Sequence, residues 1–128
     1  MPVEPDEAQL KEIQALAGAP GDGPLVMLNL NRYRDRDAYL RYGAVATAVL
    51  ERVGGRILWH TSAEGTVIGD ESDLYDEVIA VWYPSAAAFV ALATDPEILE
   101  ARSDRTEGLE RAALIRCDAG GEPALAGS

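Results

Sequence analysis

The sequence is short of the residue types that most often carry chemistry. Its 128 residues include one cysteine, one histidine, one phenylalanine and two tryptophans. A lone Cys117 excludes an intrachain disulfide and a cysteine-based zinc site. Any imidazole chemistry has to run through His60. Positive charge is scarce as well: Lys11 and the arginines make 11 cations against 22 carboxylates, a net charge of −11. Nucleic-acid binders carry a basic patch, so that balance argues against such a partner. Anionic membrane surfaces are disfavoured for the same reason. No apolar run approaches the ~20 residues that a membrane-crossing helix needs. The N-terminus has Glu4, Asp6, Glu7 and Glu12 but no basic start before an apolar run, so it does not read as a secretory leader. The cytoplasm is the expected location. A phosphate-binding glycine loop, HExxH and GxSxG are all missing. Asp70, Glu71, Asp73, Asp76 and Glu77 resemble a calcium loop only superficially. Leu74 occupies a required ligand place and no central glycine follows. The run reads as a solvated turn, and no metal site is expected.

What is present is an ordinary globular composition, 48% apolar and 26% charged, enough for one domain with a real core. Pro5 to Ala17 reads as a short amphipathic helix with Pro5 at its first position and Leu10, Ile13 and Leu16 on one face. The Gly18 to Pro24 linker ends it, so residues 1–23 look like an addition in front of the domain proper. Leu25 to Asn31 is the first strand. A helix capped by Asp35 or Asp37 runs to about Val53, with Tyr39, Tyr42, Val45, Ala46, Val49, Leu50 and Val53 as its buried stripe. Gly54-Gly55 stops it. Arg56 to Gly69 reads as a long strand bent by a bulge near Glu64-Gly65. Tyr75 to Tyr83 is the third strand, Ser85 caps a helix from Ala86 to Thr94, and Asp95-Pro96 restarts a short one. Leu109 to Cys117 is the last strand. Residues 24–118 thus form the domain, and the Gly/Ala/Pro-rich residues 119–128 are expected to be disordered.

This order is the ferredoxin-like βαββαβ arrangement: an α+β fold with a four-stranded antiparallel sheet and helices on one face. In an exposed sheet of this kind, apolar and polar residues should alternate. They do not. In the third strand Val78, Ala80 and Trp82 point one way while Ile79, Val81 and Tyr83 point the other. The helices cover one face, and the second spans on the order of 400 Å², at the limit of what soluble monomers leave bare. A second copy packed sheet to sheet, as a homodimer, is the expected solution.

An ordered set of short pieces carries a resemblance. Val26-Met27-Leu28-Asn29-Leu30, Tyr39-x-x-Tyr42, Gly54-Gly55-Arg56, the stretch from Glu64 to Gly69, Pro84-Ser85, Asp95-Pro96-Glu97 and Arg105 follow one another over about Pro24 to Cys117. The chain in this region resembles the domain-of-unknown-function family 1330, within the dimeric α+β barrel superfamily. The resemblance implies the ferredoxin-like fold and a dimer, and no settled activity. Wider relatives include cofactor-independent monooxygenases, lactone isomerases, polyketide cyclases and haem-degrading enzymes. That is analogy at the level of the fold.

Candidate residues follow from the polar and aromatic groups that interrupt apolar segments. Asn29 and Asn31 lie on the same face as Met27, and a buried amide must find partners. Asn29 either orients a ligand oxygen or satisfies backbone groups. In a strand His60 and Trp59 point to opposite faces: one of them faces the pocket, His60 as acid or base or Trp59 as an aromatic wall. Haem-degrading relatives place the ligand histidine on a helix, so His60 on a strand does not suggest haem. Tyr39 and Tyr42 share a helical face, and Trp82 is either core or pocket wall. Arg105, placed in the loop before the last strand, could bind a carboxylate or enolate, or pair with Glu64 or Glu107. Glu64 is a candidate base if the bulge turns it inward. The resulting expectation is a pocket between sheet and helices without a tightly bound cofactor. Asn29, Tyr42, Trp59 and Trp82 would hold a polar aromatic or β-keto compound, and His60, Glu64 and Arg105 would serve the chemistry. A non-catalytic binding module and a dimer without a ligand are the alternatives.

Overall fold

The computed structural model describes residues 3–120. Helix α1 (Glu7–Leu16) comes first, followed by strand β1 (Leu25–Tyr33), helix α2 (Arg36–Arg52) and strand β2 (Arg56–Ser62). Strand β3 (Glu77–Tyr83), short helices α3 (Ala86–Ala93), α4 (Pro96–Glu100) and α5 (Arg102–Gly108), and strand β4 (Leu109–Asp118) complete the chain. The strands form one antiparallel sheet in the order β2-β3-β1-β4. β1 and β2 run in the same direction with β3 between them, which is the ferredoxin-like split βαβ.

The helices start and stop where side chains satisfy the free backbone groups at their ends. Asp35 caps α2 by accepting from Ala38 N at 3.2 Å, and Ser85 caps α3 by accepting from Ala88 N at 3.0 Å. Gly54 ends α2 at φ +84°, a left-handed conformation that only glycine adopts without penalty. The core lies between helices and sheet. Leu25 and Met27 of β1, Val81 and Tyr83 of β3, Val49 and Leu50 of α2, and Leu92 and Ile98 pack together there. Val49 and Leu109 are fully buried, and burial of such a side chain contributes about 1.5–3 kcal/mol.

Several sequence expectations change. Helix α1 begins after Pro5, because Asp6 and Gln9 form a capping box around the helix start. It is also more than an addition: Ile13 and Leu16 pack on the core. In the linker, Asp22 accepts from Ala86 N at 2.7 Å, Ala87 N at 3.1 Å and Gly18 N at 2.9 Å, clamping the segment onto the start of α3. Strand β2 ends at Ser62, not Gly69. Its partner β3 begins only at Glu77, opposite Ser62, and just upstream Asp76 N turns away to Asn31 O at 2.8 Å. The register shift falls between Ile57 and Trp59, not at Glu64-Gly65. Arg105 lies in helix α5 and not in a loop. The expected disorder of the C-terminal tail concerns residues that, from 121 onward, lie outside those described. Among the described residues no helix is long and apolar enough to cross a membrane.

One close approach sets the position of α5 against α2. Gly108 O accepts from Arg34 N at 2.8 Å and Asp35 N at 3.2 Å. A Cβ at Gly108 would stand 2.6 Å from Tyr39 N and 2.8 Å from its Cα. Those neighbours are backbone and cannot yield cheaply. Gly108→Ala is therefore expected to destabilise the fold by about 2–3 kcal/mol, read as a lowered midpoint in urea unfolding with an unchanged slope.

Candidate functional site

The helix-facing side of the sheet follows from register. Met27, Asn29 and Asn31 of β1 stand opposite Val81, Ile79 and Glu77 of β3, and His60 of β2 stands opposite Ile79. This face is apolar at one end and polar at the other. At the polar end sits Glu77, only 3% exposed.

Taking a carboxylate out of water is expensive unless donors replace the lost solvent. Glu77 has them. Tyr33 Oη donates to Oε2 at 2.5 Å, Asn31 Nδ2 donates to Oε1 at 2.9 Å, and His60 Nε2 lies 2.8 Å from Oε2. The Asn31 amide also donates to Tyr39 Oη at 2.9 Å, which links Tyr39 to the same network. Burial pushes the Glu77 carboxyl up, but Tyr33, Asn31, Tyr39 and His60 outweigh it and hold the group below its ordinary value. The tyrosines respond in the opposite sense. Burial first, then the Glu77 carboxylate, raise Tyr33 and Tyr39 well above the usual phenol range. An ionised carboxylate only accepts, so His60 presents a protonated Nε2 to Glu77.

Beside this cluster a cavity of about 130 Å³ opens between sheet and helices. Ile79 and Val81 form its floor, Tyr42 and Ala46 of α2 its cover, and Asn31 and Tyr39 connect it to Glu77. Arg105 supplies its positive charge, with the guanidinium carbon 6.0 Å from the centre of the Tyr42 ring. Asn29 also lines it. Its amide makes only long bonds, 3.3 Å to Met27 O and 3.5 Å to Ile79 O, at the weak end of hydrogen-bond geometry.

The structure thus brings together Asn29, Tyr42 and Arg105 around the cavity and leaves His60 outside its lining, in contact with Glu77. It separates the others. Trp59 and Trp82 lie on the opposite face of the sheet, because they alternate with His60 and with Val81 and Tyr83. Trp59 is 49% exposed there, and Arg56 stacks 4.9 Å over Trp82. Neither is a pocket wall. Glu64 is exposed in the loop after β2, since no bulge turns it inward. Arg105 pairs with Glu4, not with Glu64 or Glu107. The sequence reading missed the centre of the cluster, having placed Glu77 in a solvated turn. The available signal was its alternation with Ile79, Val81 and Tyr83 on the face that the helices cover. Tyr33 was missed because β1 runs two residues past Asn31.

A four-stranded antiparallel sheet with helices on one face, carrying a pocket against that face, defines a ferredoxin-like α+β protein. The chain belongs to the DUF1330 family, a domain of unknown function, whose model matches residues 25–116. It is similar to RPA0582 of Rhodopseudomonas palustris, a protein of unknown function, with 32% identity over 94% of this chain and 98% of that one, at a TM-score of 0.82. Two more distant structures share the fold alone. A dabb family protein with a ferredoxin-like fold from Mesorhizobium loti is 14% identical over 77% of this chain and 99% of its own, at a TM-score of 0.57. Hydroxynitrile lyase from Passiflora edulis is 14% identical over 80% of this chain and 99% of its own, at a TM-score of 0.58. Among curated proteins none matches the chain.

The Glu77 network makes stability depend on acidity in a defined direction. The folded carboxyl lies below its ordinary value of 4.5, so the network's contribution is complete above that pH and is lost as pH falls through the folded value. At neutral pH Glu77→Ala is expected to cost about 3 kcal/mol by orphaning buried donors. Urea unfolding at stepped pH checks both points: the gap between wild type and variant should narrow only below the ordinary glutamate range.

Proposed function

We propose that this protein binds a small polar aromatic or β-keto compound in the cavity between sheet and helices. We further propose that it moves a proton on that compound without a tightly bound cofactor. One observation carries the reading: Asn31 and Tyr39 belong both to the cavity wall and to the hydrogen-bond shell of the buried Glu77. A ligand oxygen at those groups stands one hydrogen bond from an ionised carboxylate that also holds His60. Glu77 fixes the imidazole and would stabilise it when protonated, so Nδ1 can take up a proton and return it. Asn29 and Arg105 would polarise a ligand oxygen as charge develops on it. A cavity of about 130 Å³ suits a single ring, since an apolar cavity of roughly 150 Å³ holds benzene. That a hydroxynitrile lyase is built on this fold is compatible with the reading and adds no more than that.

A non-catalytic binding module is the second reading. It is favoured by the His60 side chain being 54% exposed and outside the cavity lining. A melting-temperature screen against small phenols and β-keto compounds separates the readings. A ligand should raise the melting temperature of wild type but not of Ala46→Leu, which fills the cavity. His60→Ala should then abolish turnover of that ligand and leave its binding within about threefold. Turnover that survives His60→Ala removes the catalytic reading, and the absence of any cavity-dependent ligand removes both.

The same protein is read as a cytoplasmic homodimer formed through the open sheet face. Val26, Leu28 and Leu30 of β1 and Val78, Ala80 and Trp82 of β3 share that face by register, with Ile115 still 46% exposed beside them. Val67 and Ile68, 99% and 94% exposed, project from the adjoining loop. Apolar side chains bare to this degree call for a partner surface, and a second copy supplies one of matching character. Sedimentation at micromolar concentration is expected to give a dimer for wild type and a folded monomer for Leu28→Lys. A wild-type monomer would overturn the assignment.

A further inference from the structure

The cation that lines the cavity, Arg105, is already paired with a carboxylate from the chain itself. Arg105 Nη1 donates to Glu4 Oε1 at 3.1 Å and also to the carbonyl oxygen of Val3. Arg102 Nε lies 3.8 Å from the same Glu4 oxygen. Glu4 therefore sits between two guanidiniums of α5, one of which lines the cavity. The Tyr42 ring also lies near Arg105, its centre 6.0 Å from the guanidinium carbon. Among the described residues the carboxylate that satisfies Arg105 comes from the N-terminal strap and not from the sheet or α2.

We infer that the ligand of this cavity carries a carboxylate, and that residues 3–6 form a strap whose Glu4 holds the carboxylate position until the ligand displaces it. The inference rests on the cavity being a small-molecule site, as proposed above. The chemistry is that of competition. A guanidinium presents parallel donors to a carboxylate and does not distinguish an internal one from a free one by charge alone. The strap is built to yield. The Glu4 side chain is 36% exposed and its second partner Arg102 59%, so water competes for the carboxylate although Arg105 itself is 20% exposed. The strap ends at the Asp6 cap of α1, and α1 is fixed by Ile13 and Leu16 on the core. Release of Glu4 therefore moves a few residues without disturbing the helix. The ring or carbonyl of the ligand would then lie against Tyr42, Ile79 and Val81 while its carboxylate meets Arg105.

The test compares benzoate and acetoacetate with their neutral amides, benzamide and acetoacetamide, by calorimetric titration of the full chain. Wild type is expected to prefer the carboxylates. Glu4→Ala and Glu4→Gln should each tighten carboxylate binding about tenfold, because a site freed of its internal competitor no longer has its apparent affinity reduced. Both variants should leave amide binding unchanged. Arg105→Gln should abolish the preference for carboxylates. If amides bind as well as carboxylates, or if Glu4→Ala leaves carboxylate affinity unchanged or weaker, the inference is overturned while the cavity stands. If no probe binds either wild type or Glu4→Ala, the cavity reading falls and takes this inference with it.

Discussion

A carboxylate withdrawn from water must be given donors, and in this protein that requirement shapes the end of the sheet. Glu77 lies at the first position of β3, nearly inaccessible to solvent. Its partners are Asn31 and Tyr33 from β1 and His60 from β2, and Asn31 carries the network on to Tyr39 of α2. None of these side chains can shift far without leaving a charged or polar group unmatched. The network therefore fixes the first strand, the first long helix and the edge strand relative to one another. It does so where hydrophobic packing gives out and polar chemistry becomes possible.

That arrangement gives the cavity its character. Its floor is apolar because Ile79 and Val81 continue the face that Glu77 begins. Its charge comes from α5, whose place depends on the glycine that lets its last turn touch the start of α2. A cation, two amides and phenolic hydroxyls thus line this space, with the buried Glu77 one hydrogen bond behind Asn31. Each is positioned by a different part of the chain, so the site is a property of the whole fold and not of any short motif.

Much of this was legible in the sequence and some of it was not, for reasons that particular residues make plain. The element order followed from local signals, since Asp35, Ser85 and Asp95 cap the helices that follow them and Gly54 stops α2. The doubly apolar strands were visible as a loss of alternation. What failed was long-range. The end of β2 depends on where β3 begins, which no residue near Gly69 announces. The bulge at Ile57/Trp59 decides which face His60 and Trp59 take, and it leaves no glycine as a marker. Glu77 was hidden by its acidic neighbours Asp73 and Asp76, which belong to a solvent-facing stretch and made it look like one of them. Arg105 was found as a charge, but its partner is about a hundred residues away and could not be read from proximity.

The Asp22 clamp has a practical consequence for anyone who would cut the protein down. The family match begins at residue 25, and a fragment trimmed to that boundary would seem natural. It would strip Ala86 and Ala87 of the acceptor that receives their amides. It would also uncover the part of the interior sealed by Ile13 and Leu16. The family model stops short of contacts that the chain makes from its N-terminal segment, and the similar structure of RPA0582, matched over 94% of this chain, extends past that boundary as well.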